Sequence, residues 1–224
     1  FIRVREPALV QRLCRRATER GYKHLKLHEF TVEAVAAARE AVGDRIELML
    51  DTNCSWDEQD TLAKARDLRP LNLYWLEEPI FPPDDFAGLA RIRAQGGIKI
   101  ASGENLGNLN DMARMLEAKA VDFVQPDVTK FGGITEMWKA AALAERHGVT
   151  FEPHSPIHGP GLIATLHIVA ALKKPAMAEF YFCDLETTPM GDAIAVRNGE
   201  MTVPNGPGLG VEIDEDILHR FRIG

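Results

Sequence analysis

Cysteine is scarce in this 224-residue chain: Cys14, Cys54 and Cys183 fit no metal-binding spacing and are odd in number. That pattern favours reduced thiols and a cytoplasmic compartment. No run of eighteen apolar residues occurs, which excludes a membrane-spanning helix. Basic charge is also lacking: a formal net charge of -7 provides no positive field for nucleic acid. The opening residues, Phe1-Ile2-Arg3-Val4-Arg5, have neither an initiating methionine nor a signal-peptide profile, so the chain is expected to begin mid-protein. At 46% apolar and 26% charged residues, the composition suits one α/β domain with a sizeable core.

What the chain does contain is an apolar strand pattern that ends on acid. Leu73 to Leu76 run into Glu77 and are stopped by Pro79, Ile46 to Leu50 run into Asp51, and Ile98 to Gly103 run into Glu104. Alternation along a strand puts Trp75 and Glu77 on one face and Leu76 on the other. The three acids recur at roughly 25-residue intervals, a period that marks repeated supersecondary units, and one strand-plus-helix step needs about that length.

The same unit continues on both sides. A helix from Pro7 to Arg20 precedes a strand His24–His28, whose alternation separates Leu25 and Leu27 from His24, Lys26 and His28. Further helices are expected at about 31–42, 57–68, 84–96, 110–119, 133–147 and 161–172, and further strands at 121–126 ending on Asp127, 148–153 ending on His154, and 176–178 ending on Glu179. Seven strands with polar tips predict an α/β fold, a parallel (β/α) TIM-type barrel, (β/α)7β-like, lacking its first strand in this chain. Its site would lie at the C-terminal rim. An open doubly wound sheet is the rival, but it concentrates function at one switch point. Residues 1–184 would form the partial barrel and 185–224 a strand-and-loop extension packed on it.

Each acid taken alone is accounted for as a helix N-cap or a solvated loop residue. Three in register are another matter, since converging carboxylates repel unless a divalent cation sits among them, and an oxygen-only donor set selects Mg2+ over zinc. Lys26 is either an ion-pair partner of Asp51 or Glu77, or a group whose proton affinity is tuned beside a metal-bound substrate. His28 is either a satisfied structural histidine or an acid/base. Asp127 and His154, on adjacent strands at one level, form either an ordinary buried hydrogen bond or a dyad in which Asp127 fixes the tautomer of a catalytic imidazole. Glu179 is either a salt-bridge partner for Lys130 or, if protonated, a donor to a developing oxyanion. Asn53 shares the face of Asp51 and is a candidate donor to ligand. Glu152, one layer below His154, has a structural place only, and Tyr181 and Phe182 are expected in the core or the wall.

Lys26-Leu27-His28, Asp51-Thr52-Asn53, Glu77-Glu78-Pro79, Gly103-Glu104-Asn105, Pro126-Asp127 through Lys130 with Gly132-Gly133, and His154 together resemble the enolase superfamily, in particular the mandelate racemase and muconate lactonizing enzyme group. The resemblance covers nearly the whole chain. It implies Asp51, Glu77 and Glu104 as Mg2+ ligands, Asp127 with His154 as the dyad of the mandelate racemase subgroup, and Glu179 as a hydrogen-bond partner of the substrate carboxylate. It further implies a small carboxylate substrate, most often a sugar acid, with Asn53 and Lys130 beside it, and a homo-oligomer. The implied reaction is removal of the proton α to the carboxylate through an enediolate, leading to dehydration, with racemisation, epimerisation or cycloisomerisation as alternatives. A barrel that only binds a sugar acid is the alternative of another class. Two departures stand out. The family's second lysine on this strand is His28 here, which leaves Lys26 to neutralise the carboxylate and His28 or a water as base. The N-terminal α+β capping domain and the first barrel strand are expected to be missing from these residues, with little activity if the chain is all there is.

Overall fold

The computed structural model describes residues 3–174 and 176–223. Six strands, β1 (His24–Leu27), β2 (Glu47–Asp51), β3 (Leu76–Glu77), β4 (Ile100–Ser102), β5 (Phe123–Val124) and β6 (Thr150–Phe151), pair in chain order, every pair parallel. Helices α1 (Pro7–Glu19), α2 (Val32–Val42), α3 (Glu58–Leu68), α4 (Phe86–Gly96), α5 (Leu109–Glu117), α6 (Ile134–His147) and α7 (Pro160–Ala171) alternate with them. The result is the greater part of a curled (β/α) barrel, in which each connection returns the chain to the same end of the sheet.

Local chemistry explains the alternation. Thr31, Asp57, Asp85 and Asn108 each take a backbone N–H in the first turn of the helix that follows, and Gly43, Gly97 and Gly148 end their helices at positive φ. Between those signals the strands sort their side chains by parity. Leu25, Leu27, Leu48, Leu50, Leu76, Ile100 and Val124 pack outward in one core with the helices, while Met49, Trp75, Ala101 and Phe123 form a second, separate cluster inside the curl. Lys26, Asp51 and Glu77 hold the same parity as the inner cluster, so the period-2 geometry that buries Leu50 and Leu76 turns the polar groups inward.

Three expectations need correction. The strand anticipated from Leu73 begins at Leu76, because Asn72 sits in the left-handed region at φ 48°; Tyr74 N and Trp75 O nevertheless bond to β2. No seventh ladder strand forms at 176–179. There the Glu152 carboxylate takes the Met177 N–H at 2.7 Å and Ser155 Oγ donates to the Glu179 carbonyl at 3.2 Å, so side chains fasten this segment to β6 where a backbone ladder was expected. Met177 still packs on the inner cluster and Phe182 edges onto Tyr22 beside β1, placing the segment across the gap between the last strand and the first. The tail contains the expected small strands, β7 (Val196–Arg197) and β8 (Glu200–Met201), paired antiparallel, and also a short helix, α8 (Glu215–Arg220), that was not anticipated. Residues Phe1 and Ile2 of the opening segment lie outside the described residues.

Arg39, only 8% exposed, ties the outer layer to the N-terminal side of the strands by donating to the carbonyls of Gly43, Ile46, Leu71 and Asn72. Leaving a buried acceptor without its donor costs ~1–3 kcal/mol. Arg39→Met is therefore expected to destabilise the fold by about 3 kcal/mol or more, read as a lower denaturant midpoint at constant slope. A midpoint within error of the parent would contradict this role.

Candidate metal and proton-transfer site

Strand register assembles the site. Asp51 lies directly opposite Glu77, and Glu77 opposite Ala101, three residues before Glu104. Gly103 makes the intervening turn possible: its φ is 142°, and a Cβ there would come within 2.7 Å of Gln125 N. Carboxylate oxygens of Asp51, Glu77 and Glu104 lie within 4.8 Å of one another, close enough to share one ion. The two strand acids are fully buried.

Lys26 rises from β1 into this group, with Nζ 2.9 Å from Glu77 Oε1, 3.4 Å from Asp51 Oδ2 and 2.6 Å from Glu179 Oε1. Burial opposes its charge, but the three carboxylates more than compensate and hold its pKa well above the usual lysine value. Glu77 carries the opposite strain: burial, with Asp51 and Glu179 nearby, pushes its pKa up to about 8 against the pull of Lys26. Its other oxygen accepts the Trp75 indole N–H at 2.8 Å, as their shared strand face predicts. Asp51 stays ionised, at a pKa of about 2, because His28 and Lys26 outweigh the cost of its burial. Asp51 Oδ2 is buried, with His28 Nε2 at 3.2 Å and Lys26 Nζ at 3.4 Å as its nearest cationic or donor groups and no well-directed hydrogen bond. A buried carboxylate oxygen without a well-directed hydrogen bond, beside a second acid driven toward protonation, fits a hard divalent cation.

His154 faces Asp127 across an isolated parallel bridge between the segments following β5 and β6. Its Nδ1 is 2.6 Å from Asp127 Oδ2, and its Nε2 is 3.0 Å from Glu104 Oε2 and 3.9 Å from Glu179 Oε2. Thr129 supports the aspartate, donating both N–H and hydroxyl to Oδ1 at 2.7 and 2.6 Å. Burial works against an imidazolium here, but Asp127 and Glu104 raise the His154 pKa to about 10. Of the two readings of Glu179, the pair with Lys130 does not form: Glu179 goes to Lys26 and points toward His154, because its segment runs between β6 and β1, whereas Lys130 reaches Glu104 at 3.5 Å.

Asn53 follows Asp51 in a left-handed turn (φ 46°), gives its N–H to Asp51 Oδ1 at 2.8 Å and keeps its amide oxygen buried without a donor. Glu78, at φ 43°, turns away from the acid cluster to Asn105 and Cys54. A cavity of about 430 Å³ opens over the rim, lined by His28, Asn53, Glu104, Lys130 and His154 and walled by Tyr181. Of the site residues expected from sequence, His28, Asn53, Glu104, Lys130 and His154 line this mouth, while Lys26, Asp51, Glu77, Asp127 and Glu179 lie behind it, joined to these by the contacts above. Sequence reasoning missed Trp75 and Thr129 as hydrogen-bond donors to the acids, and His158 in the wall. The Asp-x-Thr spacing of a side-chain-closed turn was a usable signal for Thr129; nothing periodic marks His158.

In metal-free protein, His154 is expected to remain protonated through neutral pH and to titrate near a pKa of about 10. Because that lies above its ordinary 6.5, the ion pairs add stability that is complete below 6.5 and is lost as pH rises through about 10. Histidine NMR titration checks this, and Asp127→Asn should bring the transition down; a ring titrating near its ordinary value would contradict the geometry.

Residues 9–217 match the family model described as enolase C-terminal domain-like. The 3,6-anhydro-alpha-L-galactonate cycloisomerase of Streptomyces coelicolor is 36% identical over 193 residues, covering 86% of this chain and 52% of that protein. The arabinonate dehydratase of Saccharolobus solfataricus is 31% identical over 211 residues, 90% of this chain and 56% of that one. The chain therefore spans about half the length of the curated relatives it matches. Among solved structures, L-talarate dehydratase from Polaromonas sp. JS666, complexed with Mg and L-glucarate, superposes at a TM-score of 0.82 with 30% identity, over 97% of this chain and 60% of that one. With a family match over nearly its whole length and a parallel barrel whose polar groups converge at one rim, the chain belongs to the enolase C-terminal domain-like family.

Proposed function

We propose that this protein removes the proton α to the carboxylate of a sugar acid and eliminates its β-hydroxyl as water, as a Mg2+-dependent dehydratase. The observation that carries the reading is the shared rim: three carboxylates within 4.8 Å of one another, with Lys26 and His28 on one flank and His154 on the other. Asp51, Glu77 and Glu104 are the residues proposed to hold Mg2+. Bound there, Mg2+ would supply Lewis-acid stabilisation of the negative charge that develops on the substrate carboxylate.

The protein's own groups divide the remaining work. Lys26, with its Nζ among the carboxylates of Glu179, Glu77 and Asp51, is placed to neutralise the substrate carboxylate. His28, which lines the mouth, is placed to take the α proton directly or through a water. His154, protonated and oriented by Asp127, is placed to protonate the departing β-hydroxyl. Glu179, between Lys26 and His154, would hydrogen-bond a substrate carboxylate oxygen once protonated, and Asn53 and Lys130 would bind the rest of the acid. The cycloisomerase relative supports a second reading in which the same proton abstraction leads to ring isomerisation. A cytoplasmic setting, consistent with the three free thiols among the described residues, and a homo-oligomer are part of the proposal.

A screen of sugar acids in deuterated solvent with Mg2+ tests the reaction. Loss of water with a solvent deuteron entering at the carbon that bore the hydroxyl supports dehydration, exchange at the α carbon without water loss indicates epimerisation or cycloisomerisation, and neither outcome with any acid leaves a binding protein and overturns the proposal. Glu77→Gln should weaken Mg2+ binding by more than the roughly 10–100-fold typical of losing an outer-sphere partner, measured by calorimetry; unchanged affinity would remove Glu77 from the ligand set. His154→Asn should lower elimination by about 10²–10⁴-fold while Mg2+ still binds, and full turnover would exclude His154 as the acid.

A further inference from the structure

Resting on the sugar-acid reading above, we propose that His158 determines specificity by accepting, through Nδ1, a hydrogen bond from a substrate hydroxyl remote from the reacting carbon. His158 follows His154 by four residues, in the loop before α7, and lines the same mouth cavity. Two contacts fix its ring. One face stacks on Phe180, with centroids 4.4 Å apart and an interplanar angle of 25°. Nε2 lies 3.1 Å from the Tyr181 carbonyl oxygen. A carbonyl only accepts, so Nε2 carries the hydrogen. Burial lowers the ring's pKa despite that hydrogen bond, which favours the neutral form. A neutral imidazole protonated at Nε2 presents a lone pair at Nδ1, the remaining polar atom of a side chain that lines the cavity, and Nδ1 has no hydrogen bond to a protein group among the described residues.

The other polar groups of the wall have different uses. Lys130 and the His154 imidazolium are cationic donors that suit carboxylates or leaving groups, and Glu104 faces the acid cluster. A neutral, fixed lone pair repels an anion and suits a hydroxyl, so this corner of the mouth is matched to the hydroxylated chain of the acid and not to a second carboxylate. Holding the ring in place beforehand reduces the entropy lost when the substrate binds.

The test compares kcat/KM for turnover with Mg2+, read as loss of water or, where no water is lost, as α-proton exchange in deuterated solvent, between the acid the protein turns over best and the same acid lacking one distal hydroxyl at a time. A site built to bond a hydroxyl rejects the analogue lacking it, at this half-buried position by ~100-fold. His158→Phe, which keeps the stack and removes Nδ1, is expected to reduce the preference for one of those hydroxyls to below ~10-fold. His158→Asn, whose amide oxygen can stand in for Nδ1, should retain more of it. An unchanged preference in His158→Phe overturns the role of His158 and leaves the proposed reaction standing, whereas neither water loss nor exchange with any acid by the unaltered protein overturns both. Nitrogen-15 histidine spectra of the unaltered protein provide a check that needs no variant: a hydrogen on Nδ1 would overturn the assignment.

Discussion

Carboxylates repel one another, yet this fold brings Asp51, Glu77 and Glu179 around a single ammonium, that of Lys26, and sets Glu104 against the imidazole of His154. One lysine does not balance three acids, and the imbalance appears as a Glu77 carboxyl pushed toward protonation and an Asp51 oxygen left without a well-directed hydrogen bond. A core built only for stability would place apolar side chains at these inward positions, since burying charge is costly unless every ion is well paired. The rim is therefore the place where the structure gives up stability, and the outward Leu, Ile and Val layer packed under the helices offsets it.

The inner cluster of Met49, Trp75, Ala101 and Phe123 contributes more than volume. It forms an apolar floor beneath Lys26 and Glu77, and through the Trp75 indole it also orients one of the acids. Low polarity below the site strengthens every electrostatic interaction above it. Groups aimed in advance at developing charge need little reorganisation during a reaction. The neighbouring rings of Tyr74, Trp75 and Phe123, in mutual contact at centroid distances near 5 Å, keep that floor from yielding.

Much of this was legible in the residues because both signals are local and periodic. Alternation over His24 to His28 and over Trp75 to Glu77 told inward from outward side chains, and the spacing of the acidic tips placed three of them at one height. The helix starts near residues 31, 57 and 84 were legible for the same reason, and Thr31, Asp57 and Asp85 cap them. What escaped depended on contacts between segments far apart in sequence. Residues 176–179 have the composition of a strand but give their bonds to the side chains of Glu152 and Ser155, which no pattern within the segment reveals. The partner of Glu179 could not be read for the same reason: pairing with Lys26 requires knowing that the last inward segment lies beside the first strand. His158 gained its place in the wall from a ring and a carbonyl more than twenty residues downstream.

Glu179 differs mechanically from its neighbours. Asp51 and Glu77 are welded into a continuous hydrogen-bonded sheet, so neither can move without dragging adjacent strands along. Glu179 hangs from a stretch pinned at a few points by side chains, on the flank that also carries Phe180 and Tyr181. Substitutions in that stretch can reshape one wall of the basin while the floor and the acid cluster stay put. A single rigid chassis can in this way be refitted for guests of different length and shape by altering its most loosely tethered side.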